Sequence, residues 1–141
     1  EYYAKGPWSN YIDRQRGSLL GRYTTTVDGM FEEQSAPQTM GDRQGLRQLT
    51  LSNDGTQLQI ATEGMVAFSL SHFDDAQFNY DVFYGGKHPY DLVRSPQVFA
   101  HFDFWQRGIG NRSCGGDSCL PQYMTPTGAH AFTLRFTPMA K

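Results

Sequence analysis

Cysteine is nearly absent from this chain: Cys114 and Cys119 are the only two in 141 residues. Two thiols do not make a disulfide scaffold. They stand close enough to bridge across residues 115–118, so paired and free states both stay open. A structural zinc site needs four ligands, and the sequence offers no second cysteine pair and no tight histidine pair. No metal or other cofactor is expected. Charge of one sign is also missing. Twelve Lys and Arg against 14 Asp and Glu leave a net −2, and no basic block stands out. That argues against a nucleic-acid surface. No apolar run approaches the roughly 18 residues of a membrane span, so no membrane partner is expected. Glu1 opens the chain without Met and without signal-like n- and h-regions. The expectation is a piece of something longer, or a processed product.

Aromatics are what the chain does have: 10 Phe, 8 Tyr and 2 Trp. They suit strands, and they also suit sugar faces. Strand patterns dominate. Leu49 and Leu51 alternate with polar neighbours, Asn53-Asp54-Gly55 supplies turn chemistry, and Leu58 and Ile60 resume the alternation. That pattern predicts a hairpin. Met65 to Phe73 continues as a third strand. Val98, Ala100, Phe102 and Phe104 share one face of a further strand, with Phe99, His101, Asp103 and Trp105 on the other. Aromatics on both faces predict cover on both sides. Phe132, Leu134 and Phe136 alternate with Thr133, Arg135 and Thr137, a strand with one wet face. Tyr23 to Val27 is a weaker candidate. Helix signals reduce to one or two turns over residues 74–79, with Asp74 near the N-cap. Residues 28–47 and 80–96 resist assignment. The class is all-β, a β-sandwich, in a single β domain over 1–141.

His101 to Cys119 holds the most informative segment. A strand runs into a polar loop in which Gly108, Gly110, Gly115 and Gly116 free the backbone for close approach. Such loops on a rigid sheet commonly carry binding groups. A nucleophilic thiolate needs a base or a positive neighbourhood. Arg107 and Arg112 are near Cys114, yet there is no strand-turn-helix context of the G-x-S-x-G kind. At the other end, Gly6-Pro7 sets a turn, Asn10 can bond neighbouring backbone, and Asp13 and Arg14 can pair with charges on either side. Trp8, Tyr11, Trp105 and Tyr123 are candidate stacking platforms. The adjacent acids Asp74-Asp75 and Glu32-Glu33 read as solvated turn charges.

The order of these segments carries a resemblance. Glu1 to Arg14, EYYAKGPWSNYIDR, is similar to the G-R-G-P-x-E-N-Y-x-D-R segment of bacterial β-galactosidases of glycoside hydrolase family 2, with Lys5 for the usual Arg and Ser9 for the usual Glu. Met40 to Leu51 resembles N-G-x-R-x-x-x-R-x-L-x-L, with Gly41, Arg43, Arg47, Leu49 and Leu51 in place. FSLSHFDDAQ and then His88-Pro89-Tyr90-Asp91-Leu92 resemble the strand, short helix and H-x-x-D-L that follow. HFDFWQRGIG is similar to I-D-x-x-x-x-G-[IL]-G.

The resemblance implies part of a galactose-mutarotase-like supersandwich: the C-terminal half of the last domain of a larger glycosidase. The family's catalytic glutamates lie on a TIM-barrel domain, so no catalytic residue is expected here. The implied partners are that barrel and a galactoside or related carbohydrate. The implied sugar-pocket residues are Arg107, Ser113, Cys114, Asp117 and Cys119. The family's pocket Trp has no counterpart: Cys114 or Cys119 takes its place, depending on which serine is matched. The source implied is bacterial, periplasmic or cytoplasmic. A free carbohydrate-binding module and a mutarotase-like enzyme are the alternatives. A half-sandwich also exposes apolar sheet, so self-association is expected.

Overall fold

The computed structural model describes residues 1–34, 40–78, 87–110 and 119–140. Its strands are β1 (Tyr2–Gly6), β2 (Leu19–Tyr23), β3 (Gln48–Ser52), β4 (Thr56–Glu63), β5 (Ala67–Ser71), β6 (Phe99–Asp103) and β7 (Thr133–Ala140). Among the described residues they form two antiparallel sheets, one five-stranded in the order β2-β1-β3-β4-β7 and one of β5 and β6. The protein is an all-β sandwich.

The hairpin is where its alternation puts it. Leu51 faces Leu58 and Leu49 faces Ile60 across β3 and β4. Gly55 closes the turn at φ +105°, a conformation a side chain would strain. The core lies between the sheets: Tyr2 and Ala4 of β1, Leu46, Leu49, Ile60, then Phe68 and Leu70 of β5. Tyr2 meets Phe68 edge-on at 5.4 Å between ring centres. Fully burying a Phe such as Phe68 contributes about 1.5–3 kcal/mol.

Three segments depart from what the patterns suggest. Tyr2–Gly6 is a strand that the patterns did not mark; its partners β2 and β3 on either side supply the pairing. The weak strand at Tyr23 to Val27 is shifted toward the N-terminus, to Leu19–Tyr23, because register with β1 sets Tyr23 opposite Tyr2. The β-branched residues after it run instead into a short 3-10 turn at Asp28–Met30. Propensity is a weak guide when a paired neighbour decides. Strand β6 is not fully covered on either side: Phe102 packs on the core, but Ala100 is exposed. The short helical segment is a 3-10 turn, Asp75–Gln77, whose N-cap Asp74 accepts from the Ala76 amide at 2.9 Å.

Two turns of the N-terminal segment set the site. The Gly6–Pro7 peptide is cis. Asn10 is buried beyond it: its Nδ2 donates to the carbonyls of Lys5 (3.1 Å) and Trp8 (3.0 Å), and its Oδ1 accepts from the Gln44 amide (3.0 Å). Asn10 thus bonds neighbouring backbone, and one side chain ties β1, the turn after it and the segment before β3 together.

Candidate functional site

The end of β6 and the segment after β1 meet through Asp13. Its two carboxylate oxygens accept from the backbone amides of Ile109 (3.2 Å) and Gly110 (2.8 Å). Two amides converging on one carboxylate hold the start of the glycine-rich loop firmly. Gly108 lies under this clasp. A Cβ there would come within 2.6 Å of Asp13 Oδ2 and 2.9 Å of Tyr123 Cβ, so only glycine fits. Its amide donates to the Tyr123 carbonyl at 2.9 Å. Asp13 therefore pairs with backbone, not with a neighbouring charge.

A second tie runs one residue upstream of Arg107. Gln106 donates through Nε2 to Asp42 Oδ2, and its Oε1 accepts from Gln44 Nε2 at 3.2 Å. Asp42 is buried, and its other oxygen, Oδ1, has no hydrogen-bond partner. Burial pushes its carboxyl up. The Gln106 hydrogen bond opposes that, and the nearby charge of Asp103 adds to it. Asp103 is itself raised by burial, with His101 acting against the rise.

Arg43 is the buried cation of this region. It donates to the carbonyls of Met30 (3.1 Å) and Pro7 (3.2 and 3.3 Å) and to that of Gly41. Glu32 lies 3.8 Å from it and accepts from both the amide (3.0 Å) and the hydroxyl (2.6 Å) of Ser9. Glu32 is therefore not the solvated turn charge its neighbour Glu33 suggested; a buried guanidinium and Ser9 recruit it. Tyr11 is half-buried and held at its hydroxyl by Ser9. Burial, with Asp42 and Glu32 close by, pushes its phenol up.

These ties frame a cavity of about 590 Å³ lined by Lys5, Ile12, Asp13, Arg14, Gln15 and Arg16 on one side, and by Trp105, Gln122 and Tyr123 on the other. Trp105 is half-buried, and its indole N–H is fully buried without an acceptor. Lys5 donates to Gln15 Oε1, whose amide in turn donates to the Ile12 carbonyl at 2.9 Å.

Of the residues singled out from sequence, Trp105 and Tyr123 come together on this cavity. Tyr11 lies behind it, against Ser9. Trp8 stands apart, 75% exposed. Arg107 donates through Nε to Cys119 Sγ at 3.5 Å, and that sulfur lies 3.1 Å from Met124 Sδ. Cys119 is a free thiol. Ser113, Cys114 and Asp117 lie outside the described residues. The residues the patterns missed are Lys5, Gln15, Arg16, Gln106 and Gln122. The polar density of Asp13-Arg14-Gln15-Arg16 was the signal available for part of that set.

A two-sheet antiparallel β domain, with one polar cavity where its first turn meets the loop after β6, is the class of protein that fold and site define. Residues 1–137 match the sequence family described as "Beta galactosidase small chain", and the chain belongs to that family. It is similar to the β-galactosidase of Vibrio cholerae serotype O1, 28% identical over 136 residues, which are 95% of this chain and 12% of that protein. Against the β-galactosidase of Aeromonas hydrophila subsp. hydrophila the identity is 30% over 126 residues, 89% of this chain and 11% of the relative. Against that of Streptococcus thermophilus it is 27% over 135 residues, 96% and 13%. The chain thus spans about an eighth of the length of the curated relatives it matches, and it corresponds to a small domain of them.

Proposed function

We propose that this chain is a non-catalytic part of a β-galactosidase-type glycoside hydrolase. It is the C-terminal half of a supersandwich domain that supports a TIM-barrel catalytic domain and lines its galactoside pocket with the loop from Arg107 to Cys119. The observation that carries the reading is Asp13. Glycoside hydrolysis uses two carboxyl groups about 5–9.5 Å apart across the scissile bond. Among the described residues that line the cavity beside this loop, Asp13 is the one carboxylate, and it is engaged by the amides of Ile109 and Gly110. A carboxylate held that way positions a loop; it does not transfer protons.

Among the other described acids, Asp28 pairs with Arg94 (2.9 Å), Glu1 with Arg22 (3.2 Å), and Glu32 holds Ser9. The start of the loop, at Ile109 and Gly110, is fixed by backbone hydrogen bonds, and its proposed use depends on being held in place.

Replacing Asp13 in the intact enzyme tests this. Asp13→Ala removes the clasp, and KM for a nitrophenyl galactoside rises about fivefold with kcat little changed, the equivalent of one lost hydrogen bond of roughly 1 kcal/mol. Asp13→Asn keeps an acceptor and falls between. An unchanged KM in Asp13→Ala contradicts the reading. The exposure of Trp8 favours a second reading, a free carbohydrate-binding module. Heat on titrating β-glycans into the chain by itself supports that second reading over the first.

A further inference from the structure

The cavity beside the clasp has a charge imbalance that wall-building leaves unused. Among the described residues, Lys5, Arg14 and Arg16 line it against a single carboxylate, Asp13. Asp13 is already turned to the Ile109 and Gly110 amides. Both arginines are exposed, and among the described residues no carboxylate pairs with either. Trp105 contributes a half-buried ring to the same cavity. Tyr123 adds a second aromatic, and at about 590 Å³ the space is within the usual range for small-ligand pockets.

Those two features ask for different things of one ligand. Guanidinium groups ask for anionic oxygens, which they bind in a planar fork. The aromatic rings ask for a flat apolar face. A sugar that bears a negative charge answers both. We infer that this cavity is a binding site for an anionic sugar, one carrying a carboxylate or a sulfate ester. The site stands on its own residues and does not depend on the loop closing a catalytic pocket.

The test is calorimetric titration of the intact protein with galacturonic acid, galactose 6-sulfate and galactose. Both anionic sugars bind more tightly than galactose, and the two arms show which anion is preferred. Arg14→Ala and Arg16→Ala each weaken anion binding by about fivefold and leave galactose unchanged. Both side chains are exposed, so these variants keep the fold, and circular dichroism checks that. Trp105→Ala removes a ring from the cavity wall; it weakens all three sugars alike. Raising salt weakens the anionic sugars selectively. Equal affinity for galactose and its charged counterparts, no binding of any of the three, or anion binding indifferent to both arginine substitutions overturns the inference. An unchanged KM in Asp13→Ala leaves it standing, because KM for a neutral nitrophenyl galactoside reads the proposed galactoside pocket and not anion binding at Arg14 and Arg16.

Discussion

Asp42 is the residue whose surroundings conflict most with its charge. It is buried, one oxygen is unpartnered, and Asp103 sits near enough to oppose its ionisation. Burying an unpaired anion is costly, so the folded protein favours the protonated acid. The folded pKa lies above the unfolded one. The stabilising contribution is therefore fully present below the unfolded pKa, about 3.9, and is lost as pH rises through the folded value. Asp103 acts in the same direction. Asp42→Asn removes one of these two groups while keeping an acceptor for Gln106. Denaturation between pH 4 and pH 8 checks this: the variant loses less stability across that range and is more stable at pH 8 by on the order of 1 kcal/mol. Identical pH slopes for the two proteins contradict this account of Asp42.

Among the elements, β7 is the one whose sequence and setting disagree. Its register with β4 puts Phe136 opposite Ile60 and Leu134 opposite Thr62, so both share the inward face. Ile60 is buried, yet Phe136 is 54% exposed, with Phe102 edge-on to it at 6.5 Å between ring centres. At the other edge of the same sheet Leu19, opposite the buried Gly6, is 74% exposed. A five-stranded sheet faces a two-stranded one, and its margins lack cover. Apolar margins of this kind drive association. The isolated chain therefore associates in solution by light scattering, and Phe136→Lys shifts it toward monomer. A wild-type chain that is monomeric at all concentrations contradicts this. How much of these elements was legible follows the same logic. The β3–β4 hairpin was readable because both its alternation and its Asn53-Asp54-Gly55 turn are local. Strand β1 was not, because Tyr2–Gly6 is held by partners on β2 and β3 that are distant in sequence, from Leu19 opposite Gly6 to Leu49 opposite Tyr2. The candidate site was legible in part. Trp105 and the glycine loop stood out by residue type. The Asp13 clasp and the partnerless indole are contacts between distant segments, and no spacing announces them.

The whole molecule is a domain of the β-galactosidase small chain family in which Asp13, Asp28 and Glu1 fasten its own backbone and cations. Arg43 joins the turn after β1, at Pro7, to the carbonyls of Met30 and Gly41, Asn10 ties that turn to the stretch before β3, and Asp13 clasps the start of the loop after β6. All three converge on one end of the sandwich. That arrangement fixes the start of the loop after β6 at Ile109 and Gly110. On the function proposed above, chemistry falls to the remainder of the parent enzyme. The most direct measurement is turnover of nitrophenyl galactoside by the purified 141-residue chain. The account predicts no hydrolysis above the uncatalysed rate. Turnover by pure material that disappears when a carboxylate within the chain, such as Asp13 or Glu32, is replaced would contradict it.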